Sequence, residues 1–160
     1  MAGVLCRLSE GAQRAVNQLL EGSSPDEAAI FLKCHVAKGE LDVDFTLEET
    51  DISEISSELS DTLPALILFR TKLTIDEQAQ ASSVLLINFN PMNTPLTLKG
   101  TYKNTFQDLQ RQLVHKVKAL ELNDLGDFRQ EIIEARARGL TGTMAEAAPP
   151  MKQTFGREAV

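Results

Sequence analysis

Cys34 and His35 are the one adjacent cysteine and histidine in this chain, and a thiol beside an imidazole is the pair from which a nucleophile and its base are made. They fall in a mostly apolar run, 28–36, that reads as a strand covered on both sides. Successive strand side chains point to opposite faces, so the imidazole is turned away from the thiol, and Cys34 is expected to pack as a small hydrophobe. His115 falls near a helix end, where a contact with the helix dipole is the expectation. Two distant histidines without a cysteine or carboxylate spacing motif make no metal site. Asp42, Asp44, Glu48, Glu49 and Asp51 form the densest charge cluster. By alternation Asp42 and Asp44 share a strand face, the arrangement of an acid–base pair or a weak cation site. The solvated outer face of an edge strand explains them with less, because charge there blocks unwanted pairing. Neither the phosphate-cradling glycine loop nor the dinucleotide fingerprint occurs. No catalytic residue, metal or cofactor is expected; a small α/β enzyme would need a closed pocket lined by His35, Asp42 or Asp44.

Composition narrows the partners. The 160 residues suit one domain, long enough to bury about 70% of its unfolded surface, and a 42% hydrophobic share supports a real core. A formal charge of −7 opposes nucleic acid, whose phosphates need a clustered positive surface, and opposes stable attachment to anionic membrane. No apolar run approaches the ~20 residues of a membrane span. Two cysteines make no disulfide framework, and residues 1–7 lack the charged-then-apolar order of a signal peptide. A cytoplasmic monomer is expected.

The elements follow from periodicity and punctuation. Ser9 caps a first helix to Leu20, and residues 28–36 and 41–47 form two paired strands, the second alternating Leu41, Val43, Phe45 and Leu47 with polar residues. Residues 50–59 make a short helix. Ala65–Arg70 and Ser83–Phe89 are buried strands, with a polar connection over 76–80 between them. A long helix, a strand over 117–122, and a last helix capped at Asn123–Asp124 and ended near Arg138 by Gly139 complete the order α-β-β-α-β-β-α-β-α. Leu125, Phe128 and Ile132 are its expected buried stripe. The fold class is α/β (α+β): one domain over 1–139, a central mixed sheet of five to six strands with helices on both faces, and a flexible tail over 140–160.

The long helix follows Pro91-Met92-Asn93-Thr94-Pro95. Tyr102, Phe106, Leu109 and Leu113 recur at helical spacing and make one buried stripe, which leaves Lys99, Lys103, Gln107, Gln110 and Arg111 on the other side for a partner to read. Arg129, Glu131, Arg136 and Arg138 on the last helix form a second candidate face, which joins the first only if the two helices lie side by side.

Ser9–Asn17, Leu63–Arg70 and the run Pro91–Leu96 with Lys99 and Tyr102 together resemble the actin-depolymerising factor homology domain, the family of ADF/cofilin, twinfilin, coactosin and glia maturation factor, over roughly 4–139. The resemblance implies the ADF-H fold and binding to actin monomers or filaments in the actin cytoskeleton, with regulation of filament depolymerisation or severing. The long helix would enter a cleft between two actin subdomains, with the amino-terminal segment at Gly3 and Val4 beside it. The strand-turn region and last helix would meet a neighbouring filament subunit. Carried onto this chain, the actin-binding residues are Gly3, Val4, Lys99, Gly100, Lys103, Asn104, Gln107, Gln110, Arg111, Arg129, Arg136 and Arg138. Gly100 stands where the family pattern has methionine, Phe106 where it has lysine, and Ala2 and Gly3 where cofilins carry a phosphorylatable serine. Gly100 and Phe106 admit a second reading, a glia-maturation-factor-like binder of the actin-related branching complex.

Overall fold

In the computed structural model, six strands form one mixed sheet ordered β1-β3-β2-β4-β5-β6. The structure describes residues 5–21, 27–76, 79–114 and 116–141, with backbone alone over 73–76, 79–82 and 138–141. The strands are β1 (Arg7–Leu8), β2 (Ala28–His35), β3 (Glu40–Leu47), β4 (Ala65–Asp76), β5 (Ala79–Phe89) and β6 (Lys118–Leu122). The helices are α1 (Glu10–Glu21), α2 (Ile52–Ser57), α3 (Leu96–Gln112) and α4 (Gln130–Thr141). The centre, β3-β2-β4-β5, is antiparallel, and parallel pairings add β1 to β3 and β6 to β5. Parallel strands require a crossover, and α3 is the crossover from β5 to β6.

Local chemistry starts each element. The Ser9 hydroxyl accepts from the Ala12 N–H at 3.2 Å and caps α1, and Asp51 Oδ1 accepts from the Glu54 N–H at 2.8 Å and caps α2. Gly39 takes φ +65 in the β2–β3 turn, a left-handed conformation that glycine adopts without penalty, and its carbonyl accepts from Arg7 to begin β1. The chain thus carries a two-residue edge strand that no alternation announces.

Two cores cover the two faces of the sheet. On one face Val16 and Leu19 of α1 and Tyr102, Phe106 and Leu109 of α3 pack on Leu66, Leu68 and Leu86. On the other, Ile52 and Ile55 of α2 and Ile133 and Ala137 of α4 pack on Ile67, Phe69 and Ile87. Helices on both faces and a mixed six-stranded sheet match the expected architecture.

Four local expectations are corrected. A β-bulge in β3 shifts the pairing from Phe31↔Phe45 to Leu32↔Val43, so Leu41 and Val43 join the first core while Phe45 and Leu47 join the second. The alternation of β3 is therefore split between faces. β4 and β5 run on to Asp76↔Ala79 in an arm longer than the expected strands. Asp124 caps a single 3-10 turn, Leu125–Asp127, and the last helix begins only at Gln130. That helix runs through Gly139 to Thr141; an interior glycine costs about 1 kcal/mol, which the buried Ile133 and Ala137 of the same helix offset.

Candidate protein-binding surface

β5 ends at Phe89, and the Asn90 N–H donates to the Leu122 carbonyl at 2.9 Å, which ties the entry of α3 to edge strand β6. Thr94 donates back to Pro91, and the carbonyl of Pro95, just before the helix, accepts from Lys99 at 2.9 Å. The rigid proline turn therefore fixes where the first turn of α3 emerges.

Packing settles which side of α3 is free. Tyr102, Phe106, Leu109 and Leu113 are buried as the spacing predicts, and Thr101 and Thr105 join them at 0% exposure. The Tyr102 hydroxyl accepts from the Cys34 N–H of β2 at 3.1 Å, and Thr105 Oγ1 accepts from the Cys6 N–H at 3.1 Å. Burial pushes the Tyr102 hydroxyl up to about 12 and the Cys34 thiol up to about 12. Sequence hydropathy gives no sign of these hydroxyl anchors; only their position one turn from the apolar stripe places them on the inner side.

The outer side carries the expected residues. Gln107, Gln110 and Arg111 are exposed, and Lys99, Gly100 and Asn104 are partly so. Lys103 is 54% exposed and lies 3.9 Å from Glu121 of β6; Arg111 is 73% exposed and reaches Asp108 at 3.3 Å. Exposed pairs of this kind are worth about 0–1 kcal/mol, so both cations remain available. Lys99, Gly100 and Lys103 line a hollow of about 520 Å³ together with Met92, Leu96 and Glu121. Met92 and Leu96 stand 82% and 83% exposed at its rim. Sequence reasoning did not single out these two apolar side chains; the signal was an apolar residue directly after each of two prolines, outside any buried stripe.

The second candidate face is placed differently. α4 packs on the sheet face opposite α3, so the two helices do not lie side by side. Its buried stripe is Phe128, Ile133 and Ala137, with Leu125 and Ile132 only partly covered. The shift follows from the later helix start. Arg136 donates to the Glu121 carbonyl at 3.2 Å and pairs with Asp127 at 3.6 Å, so it reaches from the far face the residue that Lys103 reaches from the near one. Arg129 stands apart, bonded to the Gly126 carbonyl and beside a hollow lined by Asp51, Ser53 and Ser56. Gly3, Val4 and His115 lie outside the described residues, and of Arg138 only the backbone is described.

The catalytic candidates do not converge. Cys34 is buried on the first face, while His35 and Asp42 pair at 3.2 Å on a partly exposed surface. Asp42 lies between Leu41 and Val43 of the first core, whereas Asp44 is the residue skipped in the pairing just before Phe45 of the second, so the bulge breaks the alternation that had put the two aspartates on one face. Among the described residues no group of three or more His, Cys, Asp or Glu could hold a metal, and no helix is long and apolar enough to cross a membrane.

The profile of the cofilin/tropomyosin-type actin-binding proteins matches residues 5–138. The chain belongs to this cofilin family. Glia maturation factor of Drosophila melanogaster is 21% identical over 134 residues, 84% of this chain and 96% of the relative. Among solved structures, glia maturation factor of Caenorhabditis elegans superposes with a TM-score of 0.71 at 21% identity, over 84% of this chain and 97% of its own. Actin depolymerization factor 2 of Plasmodium berghei gives 0.68 at 20% identity, over 86% and 98%. Each neighbour has the cofilin-family fold found here.

Proposed function

We propose that this chain binds actin through the outer side of α3 and regulates filament turnover without chemistry of its own. Membership of an actin-binding family is the observation that carries this reading, and the exposed cations of α3 are its physical support. Lys99, Lys103, Gln107, Gln110 and Arg111 make the polar contacts, Asn104 flanks them, and Met92 and Leu96 supply apolar anchors beside the Gly100 hollow. Gly3 and Val4 lie alongside α3 in the complex, and Arg129, Arg136 and Arg138 face a second actin subunit. Tighter binding to one filament state shifts the polymer toward that state by differential affinity alone.

Co-sedimentation with filaments, run beside a monomer-binding titration, tests the reading. The double variant Lys103→Glu/Arg111→Glu is expected to weaken binding at least tenfold, about 1.4 kcal/mol, with a thermal midpoint nearly that of the parent. Unchanged binding would overturn the assignment of this helix face. A second reading, binding to the actin-related branching complex with little affinity for actin, is favoured by Gly100 in place of the family methionine and by the glia maturation factor relative. Parallel pull-downs against actin and against that complex separate the two.

A further inference from the structure

Two free thiols, Cys6 and Cys34, are buried beneath α3 and take no part in the binding surface. Both touch one hydroxyl: the Cys6 N–H donates to Thr105 Oγ1 at 3.1 Å, and Cys34 Sγ lies 3.8 Å from the same oxygen. Both side chains are buried in the same core, at 2% and 7% exposure, on the side of the sheet that α3 covers. They belong to segments 27 intervening residues apart, one leading into β1 and one near the end of β2. We propose that Cys6 and Cys34 are a modification site, a dithiol that closes to an intramolecular disulfide and fastens the amino-terminal strand to the sheet beneath α3.

The reduced pair is protected in the closed fold, since burial holds the Cys34 thiol far above neutral pH and only a thiolate attacks a disulfide. Access comes through β1. This edge strand has two residues, attached through Arg7 N–H to the Gly39 carbonyl and Ser9 N–H to the Leu41 carbonyl. So short a strand opens at far lower cost than the core strands. With glutathione disulfide as oxidant, the exposed Cys6 thiolate attacks one glutathione sulfur, forms a mixed disulfide and releases the first glutathione thiolate. The Cys34 thiolate then attacks the Cys6 sulfur, forms the Cys6–Cys34 bond and expels the second. Two electrons pass from the cysteines to the oxidant, and the two cysteine protons end on the two glutathione thiols. Cross-linking fixes the segment that leads to Gly3 and Val4, and it proceeds irrespective of what the outer side of α3 binds.

The test is oxidation of the full chain by glutathione disulfide, followed by tryptic mapping without reductant. The expected product is peptide 1–7 joined to peptide 34–38, lighter by two hydrogens than their sum, in chains that remain monomeric. The oxidised chain is expected to melt at least about 5 °C above the reduced one, because the bond restricts the unfolded ensemble. Cys6→Ser and Cys34→Ser each remove the joined peptide, and because mapping is done on the unaltered chain a variant that folds poorly does not decide the matter. Glutathione left on either cysteine, cross-links between chains, or thiols still free after prolonged oxidation overturn the proposal.

Discussion

Tyr102 holds α3 to the sheet twice over, by its ring in the first core and by its hydroxyl on the Cys34 N–H. Tyr102→Phe keeps the ring and leaves that buried N–H without its acceptor, so a loss of about 1–3 kcal/mol is expected in urea unfolding at neutral pH. The pH dependence has a definite sign. Cys34 and Tyr102 start from ordinary values of 9.0 and 10.0, and burial raises both to about 12. As pH climbs, the unfolded chain releases these protons first, so their contribution is full below pH 9 and is lost progressively toward pH 12. Urea midpoints measured up the alkaline range should fall, and Tyr102→Phe should flatten the part above pH 10; a parental slope in that variant would show another group titrating. At this scale the sequence was half legible. Three-four spacing identifies the Tyr102 stripe, whereas Thr101 and Thr105 look like surface residues although both are fully buried, and the Thr105 hydroxyl meets Cys6 and Cys34 from distant parts of the chain.

In α3, Gly100 is the weak link, an interior glycine in a helix of 17 residues. Gly100→Ala is expected to stabilise the protein by about 0.5–1 kcal/mol, read as a higher urea midpoint with an unchanged slope, since glycine gives up the most backbone entropy on folding. Because Gly100 also lines the hollow beside Met92 and Leu96, the same variant measured for binding separates a stiffer helix from a filled notch. Loss of affinity alongside the stability gain would place a partner's side chain in that hollow. Apart from the two-residue β1, the existence of the strands and α-helices was readable from periodicity, but their phase was not. The bulge opposite Phe31 and Leu32 moves half of β3 to the other face, and the 3-10 turn after Asp124 moves the buried position of α4 from Ile132 to Ile133. One inserted residue or one tighter turn changes which side chains meet the core, and neither leaves a compositional mark.

At the scale of the molecule the sheet is a shared wall between two cores, and the order of elements foretold that layering without saying which helix takes which face. Hydropathy marks α3 and α4 alike as one-sided, and only the crossover from β5 to β6 commits α3 to the side opposite α4. A shared wall has a thermodynamic consequence. Ile67 and Leu68 are neighbours on β4, both at 0% exposure, and they face different cores. Each truncation to alanine should cost about 2–5 kcal/mol. The chain has one tyrosine and no tryptophan, so Tyr102 fluorescence reports the α3 core alone, while far-ultraviolet circular dichroism reports every element. If β4 couples the layers, Ile67→Ala, on the face away from Tyr102, must move the fluorescence transition and the dichroism transition to the same lower urea concentration. A Tyr102 transition that stays at its parental midpoint while dichroism falls would mean that the two layers unfold separately, and that the binding side of α3 survives loss of the α4 core.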